Sequence, residues 1–156
     1  MKKHFLLFTA ILLLFGSFSA CKKVGQCEPI DIYPIITNPQ ATLVNTKWKL
    51  VGFVDVTEKC LKSAEPMDWD EYYTLAFYTD TLYGQTTLNT FSALYEANYE
   101  TTDMQIHGIF TTLAGEFADG YRYCDALFSV RSFSLQEKEL RLYYNDNKEF
   151  LLFKLQ

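Results

Sequence analysis

The chain has 156 residues and a formal net charge of −5, and 21% of its residues are charged. This acidic balance argues against nucleic-acid binding, because that function needs a basic surface. Apolar residues make up 49% of the sequence, so we expect a globular domain with a core of its own. Aromatic residues reach 17%, and because Tyr, Phe and Trp favour strands, the composition indicates β structure.

The first twenty residues have the layout of an export signal. Residues 1–4 carry two lysines, residues 5–15 are almost wholly apolar, and residues 16–20 include the small residues that precede a cleavage site. The apolar stretch is shorter than the ~20 residues that a membrane-spanning helix needs. We therefore predict a signal peptide over residues 1–20 that is absent from the mature protein.

Residues 18–21, Phe-Ser-Ala-Cys, resemble the lipobox of bacterial lipoproteins. The resemblance implies cleavage before Cys21 and attachment of acyl chains to that cysteine. Because each buried methylene contributes about 0.8 kcal/mol, several chains together hold a domain at a bilayer. Lys22 stands where lipoproteins kept at the inner membrane have Asp. We therefore predict a lipid anchor in the outer membrane of a Gram-negative cell envelope, and the sequence leaves the leaflet open.

Three further cysteines, Cys27, Cys60 and Cys124, follow the predicted lipidation site. Export permits disulfides, so any two of the three are able to pair, which leaves one free thiol. The sequence does not choose among the three pairings. It contains no Cys-x-x-Cys motif, and we predict neither a metal site nor a cofactor.

Residues 21–44 are predicted to be a tether between the lipid and the domain. Pro29, Pro34 and Pro39 interrupt this segment, and it shows no sustained periodicity. Proline donates no backbone hydrogen bond and biases the preceding residue towards extended conformations. An edge strand over residues 30–36 is the alternative.

Beyond residue 45, the alternation of apolar and polar residues predicts a series of strands. Residues 60–70, which contain Pro66 and several acids, are predicted as a loop. Residues 145–148, Asn-Asp-Asn-Lys, predict a hairpin turn, because Asn and Asp tolerate a positive φ. The predicted strands cover residues 46–56, 73–77, 82–87, 93–100, 104–110, 133–135, 140–144 and 149–155.

One segment, residues 115–129, follows the period of a helix instead of a strand. Glu116 is expected in its first turn, where a carboxylate interacts favourably with the helix dipole. Gly120 inside the segment weakens a helix by roughly 1 kcal/mol relative to Ala, and close packing on the sheet explains its presence. The apolar residues on the predicted helix face are Phe117, Tyr121, Cys124, Leu127 and Phe128.

Together these elements predict an α+β fold for residues 45–156. The fold is a curved antiparallel sheet, partly open and barrel-like, with one helix near residues 115–129 packed on its open side. A lipocalin-like β-barrel is the alternative, because alternating strands suit a closed barrel equally well.

The order of these elements resembles the META/HslJ-like domain family over roughly residues 45–156. The opening strand matches the family at Trp48. The family's central motif is matched at Asn89, Phe91 and Tyr95. The resemblance implies the same fold and a bacterial envelope lipoprotein, with these four residues in structural roles.

The central motif also departs from the family in two places. Leu88 replaces the usual Cys and Ala93 replaces the usual Gly, so a family disulfide is not carried over to this chain. Asn89 has a reading of its own, since an Asn at the end of a strand bonds backbone groups with its side-chain amide. We predict a structural role for Asn89 rather than ligand contact.

Few side chains in the sequence indicate catalysis. After removal of residues 1–20, His107 is the only histidine, and no nucleophile motif accompanies it. Trp69 is more suggestive, because it lies in the predicted loop between Asp68 and Asp70. An aromatic flanked by acids on a loop is either a contact residue for a partner or a lid that folds back on the barrel.

The sequence therefore favours a non-enzymatic, outer-membrane-anchored lipoprotein that binds or supports another envelope component. Two alternatives stay open. The abundance of Phe and Tyr also suits a carrier or sensor of a small apolar ligand in a barrel-like cavity. A hydrolase with two convergent carboxylates is the least favoured, because no motif supports it.

Overall fold

The computed structural model describes residues 26–34, 37–38 and 40–156. The predicted signal peptide and Cys21 lie outside the described residues. Within them the chain forms ten strands and one helix. The strands are β1 (Glu28–Pro29), β2 (Thr46–Asp55), β3 (Cys60–Ser63), β4 (Thr74–Phe77), β5 (Thr81–Gln85), β6 (Thr90–Ala97), β7 (Met104–Thr111), β8 (Ser132–Gln136), β9 (Glu139–Tyr144) and β10 (Glu149–Leu155), and the helix is α1 (Gly120–Phe128).

The strands form one antiparallel sheet in the order β7-β6-β5-β4-β2-β10-β9-β8, and β3 pairs with β2 and with β1. The sheet curls until its two ends meet at the first residues of β7 and β8. A single bridge joins Asp103 to Ser132, and the Met104 N–H donates to the Arg131 carbonyl over 2.9 Å. The predicted α+β fold with a curved antiparallel sheet and one helix is confirmed, and the sheet is a curled half-barrel.

In strand β2 the predicted alternation of core-facing and outward-facing residues holds only as far as Leu50. Trp48 and Leu50 face the core as predicted. The register against β10 then shifts, so that Phe53 turns into the core and Val54 turns to the outer face. Gly52 sits at this point, and a Cβ there would lie 2.2 Å from the Lys62 carbonyl oxygen. Glycine therefore permits the close approach of β3. This strand lies in a segment that was predicted as a loop, and that prediction is wrong for Cys60–Ser63.

Helix α1 is shorter than predicted, because it begins at Gly120 and not near residue 115. Ala118 has a φ of +49°, outside the helical region, and Asp119 is the N-cap residue. Glu116 therefore lies outside the first turn, and the expected interaction with the helix dipole is wrong. The buried residues of the helix are Gly120, Tyr123, Ala126 and Leu127.

Tyr123 on the helix fills the centre of the half-barrel. Its ring makes an edge contact with Tyr73 at a centroid distance of 5.4 Å and lies within 6.4 Å of Phe91 and Phe153. The side chains of Tyr73, Tyr123 and Phe153 have no exposed surface. Because aromatic rings bury large areas and pair favourably edge to face, they occupy the concave side of the sheet.

Residues 26–34, which we call the strap, lie along the outer face of the sheet. The disulfide between Cys27 and Cys60 joins the strap to β3, with 5.3 Å between the two Cα atoms. The Ile30 N–H also donates to the Lys59 carbonyl over 3.0 Å. These contacts lie within the segment predicted as a tether, so the described part of that segment is held against the domain.

The strap covers a second, smaller apolar cluster on the outer face. Val54, Phe150 and Leu152 are buried in this cluster, and Ile30 and Ile32 of the strap pack on it. Burying an aliphatic side chain of this kind contributes roughly 1.5–3 kcal/mol. The strap is therefore attached by apolar packing as well as by the disulfide.

Arg141 on β9 fixes the far end of the strap. It is only 2% exposed, donates to the Tyr33 carbonyl over 2.9 Å and pairs with Glu139 at 2.8 Å. Glu139 also pairs with Lys154 at 2.5 Å. Burial acts to raise the pKa of Glu139, but the bonds from Lys154 and Arg141 outweigh it and lower that pKa.

The described cysteines form one disulfide and leave one free thiol. Of the three pairings that the sequence left open, the Cys27–Cys60 bond is the one formed. Cys124 on the helix is free and partly buried. Burial, together with nearby carboxylates, raises the pKa of the Cys124 thiol to about 11.

Candidate functional site

The hairpin between β5 and β6 is joined to the segment before α1 through Asn89. Its side-chain Nδ2 donates to the Ala114 carbonyl over 2.7 Å, and its Oδ1 accepts from the Ala114 N–H at 2.8 Å. The Thr112 hydroxyl donates to the same Oδ1 over 2.8 Å. Asn89 therefore bonds backbone groups, and those groups lie about 25 residues away in the sequence.

Glu116 completes this polar cluster. The hydroxyl of Thr86 donates to one carboxylate oxygen and that of Thr87 to the other, the second over 2.6 Å. The Asn89 amide and the Leu88 N–H also donate to Glu116, over 2.5 Å and 3.3 Å. Partial burial acts to raise the pKa of Glu116, but these hydrogen bonds stabilise the carboxylate more strongly, so its pKa is lowered.

The cluster therefore joins two chain segments, and its polar groups are used within the protein. Thr86, Thr87 and Asn89 are at most 4% exposed. Because the four donors keep Glu116 ionised and occupied, the carboxylate is suited to hold the loop rather than to exchange protons with a substrate.

A second loop, residues 64–73, is held by Lys49 on β2. The Lys49 Nζ donates to three backbone carbonyls, those of Trp69, Asp70 and Tyr72, over 2.9, 3.0 and 2.6 Å. Burial lowers the pKa of Lys49, while the neighbouring Asp70 carboxylate acts in the opposite direction. Three bonds from one charged group fix the path of the loop and with it the position of Trp69.

The loop of residues 64–73 is also bonded to the segment that precedes α1. The Glu65 N–H donates to the Asp119 carboxylate over 2.9 Å, and the Asp119 N–H donates to the Glu65 carbonyl over 3.1 Å. The ring of Tyr72 makes edge contacts with Trp69 at 5.0 Å and with Phe117 at 6.4 Å. The loops therefore form one continuous surface.

We call the surface built by residues 64–73, 86–89 and 112–121 the loop face. Six of its large apolar side chains are exposed to solvent. Trp69 is 53% exposed, so its side chain is not buried as a lid over the core. The other exposed apolar side chains are Met67 at 39%, Leu88 at 53%, Leu113 at 96%, Phe117 at 43% and Tyr121 at 60%.

Most of this surface differs from the prediction made from the sequence. Phe117 and Tyr121 were placed on the buried face of a helix starting near residue 115, and both are exposed. Phe117 precedes the helix, and the Tyr121 hydroxyl lies 3.9 Å from the position of a Cβ built on Gly115. The only sequence signal was Leu113, an isolated Leu that fits neither a strand nor the helix pattern.

The loop face is also strongly acidic. Its three segments contain six acids and no Lys or Arg: Glu65, Asp68, Asp70, Glu71, Glu116 and Asp119. Asp68, Asp70 and Glu71 are exposed and form no ion pair with any described residue. Across residues 26–34, 37–38 and 40–156, no three His, Cys, Asp or Glu side chains converge as metal ligands.

The remaining residues of the predicted motif lie in the core. Trp48 is 1% exposed and donates from its indole nitrogen to the Thr46 hydroxyl over 2.6 Å. The Phe91 ring covers Gly84, where a Cβ would lie 2.1 Å from it. The Tyr95 hydroxyl donates to a backbone carbonyl over 2.6 Å, and burial raises the pKa of Tyr95 to about 12.

Away from the loop face, the described residues line open depressions on the surface. One of about 560 Å³ lies between α1 and the β9–β10 turn, beside Arg122 and Tyr144. In its lining, the Tyr144 hydroxyl and the Asn145 amide donate to the Glu149 carboxylate over 2.8 and 3.0 Å. His107 on β7 is exposed to solvent. No helix in the described part of the chain is both long and apolar enough to cross a membrane.

The chain is therefore an α+β protein in which a curled antiparallel half-barrel is filled by the aromatic face of one helix. Solved structures share this architecture. One is a DUF4847 family protein from Bacteroides vulgatus ATCC 8482, with a TM-score of 0.57 and 13% identity, covering 72% of this chain and 93% of that one. Another is a protein from Burkholderia xenovorans solved by NMR, with a TM-score of 0.62 and 18% identity, covering 83% of this chain and 95% of that one.

At these identities the likeness concerns the fold alone. No family model matches the chain, and no curated protein matches it.

Proposed function

We propose that this chain is a non-enzymatic lipoprotein of the META/HslJ-like type that binds another component of the cell envelope. In this proposal acyl chains on Cys21 hold the protein at the outer membrane, and the loop face is the binding surface. The support for the anchor is the lipobox-like stretch ending at Cys21. The support for binding comes from the loop face.

The exposure of the loop face is the observation that carries the proposal. Contiguous exposed apolar patches are uncommon on soluble monomers, and they mark interaction sites when they occur. Trp69 and Leu113 are 53% and 96% exposed, whereas Trp48, Tyr73 and Tyr123 are buried in the core. Aromatic side chains of this kind dominate the energetics of protein interfaces.

The polar groups of the loop face support a binding role over a catalytic one. Glu116, the carboxylate with the most hydrogen-bond donors, receives four of them from the β5–β6 hairpin. Its function within the domain is then to hold the surface in shape. Preformed surfaces bind well because little conformational entropy is lost on association.

Photocrosslinking in intact cells tests the binding surface. A photoreactive amino acid at Leu113 should give a discrete crosslinked product, whereas the same group at the exposed Glu137, in the β8–β9 turn, should give none. The product at position 113 should weaken when Trp69 is also replaced by Ala. Equal crosslinking at both positions, or none at position 113, would count against the loop face as the binding site.

Mass spectrometry of the membrane fraction tests the anchor separately. The mature chain should begin at Cys21 and carry the added mass of acyl chains. A Cys21→Ser variant should lose membrane association, and an unacylated secreted chain would refute the anchor without bearing on the loop face.

A further inference from the structure

We infer that the loop face recognises a cationic segment of a partner protein, in which one or two large apolar side chains are flanked by Lys or Arg. This inference rests on the proposed function and names the chemistry of the partner. Two properties of the surface lead to it, the distribution of charge and the arrangement of the exposed apolar side chains.

The charge of the loop face has one sign. Its three segments hold six acids and no basic residue. Two cations that adjoin these segments are engaged within the domain: the Lys49 ammonium binds three carbonyls beneath the loop, and the Arg122 guanidinium lies 3.9 Å from the centre of the Phe53 ring. The exposed carboxylate of Asp68 forms no ion pair with a described residue, and that of Asp70 interacts at longer range with the Lys49 ammonium beneath the loop.

The apolar side chains stand beside these carboxylates. Trp69 lies between Asp68 and Asp70 in the sequence, and through Tyr72 its ring continues to Phe117. An apolar anchor seated against Trp69 would place its flanking residues next to the two carboxylates. Lys or Arg at those positions would meet opposite charge, and an acidic side chain would meet repulsion, which is the main source of specificity at charged interfaces.

The same charge argues against the two other occupants of an exposed apolar surface. Bacterial membrane surfaces that carry anionic headgroups repel the exposed carboxylates of the loop face. A second copy of this chain is itself acidic, with a formal charge of −5, and would bring like charges together. A cationic protein segment is the occupant that the charge favours.

Synthetic peptides of defined composition test the inference on the mature protein as cells produce it. One peptide carries two Leu anchors flanked by four Lys, and its counterpart has Glu in place of each Lys. Phosphatidylglycerol vesicles provide the lipid probe. Fluorescence quenching by acrylamide reports binding at Trp69, because the other tryptophan, Trp48, is only 1% exposed.

The Lys peptide should protect Trp69 from the quencher at a concentration at least tenfold below that of the Glu peptide. The variant Asp68→Asn/Asp70→Asn should weaken binding of the Lys peptide by about threefold per carboxylate, as exposed charge pairs do, and so roughly tenfold in all. The control Glu137→Gln/Asp146→Asn removes the same charge from two exposed turns and should leave the affinity unchanged.

In the quenching assay, three results would overturn the inference. They are equal affinity for the Lys and Glu peptides, tighter protection by the vesicles than by the Lys peptide, and protection of Trp69 by self-association on concentrating the protein alone. A crosslink from Leu113 to a segment that lacks Lys and Arg would also overturn it, and would leave the proposed function standing. Loss of the crosslink itself would remove the proposed function.

Discussion

The variant Glu116→Gln tests whether the loop face is held in place by a single carboxylate. Glu116 lies before α1, and its four donors come from the β5–β6 hairpin. Gln keeps the size of the side chain and one acceptor oxygen. It removes the charge and presents an NH₂ group to donors, so that the Leu88 N–H, 3.3 Å from the carboxylate, loses its acceptor.

The expected loss follows from those four bonds. Hydrogen bonds to a charged group contribute about 1.5–3 kcal/mol each and neutral ones about 0.5–1.5 kcal/mol. Because Glu116 is partly exposed and its neighbours are able to rotate, only part of this difference is lost. We expect Glu116→Gln to lower the free energy of unfolding by about 2 kcal/mol at pH 7. With a urea slope of ~2 kcal/mol/M, the unfolding midpoint falls by ~1 M.

The difference between wild type and Glu116→Gln should depend on pH in one direction. The folded-state pKa of Glu116 is lowered, so the carboxylate stabilises the fold above its unfolded-state pKa of about 4.3. That stabilisation is lost as the pH falls through the lower, folded-state value. The two midpoints should therefore differ most at neutral pH and converge in strongly acidic solution.

Urea titrations followed by circular dichroism between pH 3 and pH 7 measure both effects. Glu139 also has a lowered pKa, but it is present in both proteins and cancels in the comparison. Glu137→Gln, which alters an exposed acid in a turn, serves as the control and should shift the midpoint by less than ~0.3 M. A gap between wild type and Glu116→Gln that is absent at pH 7, or constant down to pH 3, would refute this account of the cluster.

Three further substitutions probe the close contacts around the loop face and the strap. A Gly→Ala change stabilises most helices, but Gly120→Ala should lower the free energy of unfolding by about 1–3 kcal/mol in urea, because the new Cβ would lie 2.3 Å from the Glu116 carboxylate. The control Gly115→Ala should be tolerated, because the nearest atom to its Cβ is 3.9 Å away. Arg141→Met should cost about 3 kcal/mol and speed hydrogen exchange in the strap; unchanged exchange would contradict the role given to this buried guanidinium. Lys49→Met should cost about 1–2 kcal/mol and make Trp69 more accessible to acrylamide, and a quenching constant equal to wild type would show that the loop holds its position without the lysine.

The sheet could be predicted from the sequence wherever its physics is local. Alternation placed β4, β9 and β10, because the side chains of these strands that face the main core recur every two residues. The turn at residues 145–148 was also predicted correctly, and Asn145, Asp146 and Asn147 all have positive φ. These side chains tolerate that conformation regardless of what packs around them.

The errors arose where distant segments decide the local structure. β3 has no alternation of its own and forms because β2 and the strap pair on its two sides. The start of α1 was placed too early, since Phe117 and Tyr121 lie at helical spacing although Phe117 precedes the helix. Glu116, which the prediction placed inside the helix, is instead bonded to the hairpin some thirty residues away, and the helix begins only at Gly120. Periodicity carries no information about that contact.

The loop face could be predicted only where its features lie close together in the sequence. Trp69 between two acids could be singled out from the sequence as either a contact residue or a lid, because its ring and the two charges are contained in three consecutive residues. Leu88 and Leu113 join it only through bonds that bring three separate segments together. A surface assembled by such contacts has no sequence motif, even though its charge, once the segments are known, can be counted directly.

The strap changes the geometry of the proposed anchor. A free tether from Cys21 to residue 45 would reach up to ~80 Å. The disulfide instead attaches the chain to β3 at Cys27, six peptide units from Cys21, so the first attachment lies within ~20 Å of the lipid-bearing residue. In the proposed arrangement the strap and β3 therefore stay close to the bilayer. Where a cationic partner segment is also drawn to the anionic membrane surface, the proposed binding site has to compete with the lipid, and the exposed apolar side chains of the loop face would supply affinity that charge alone would share with it.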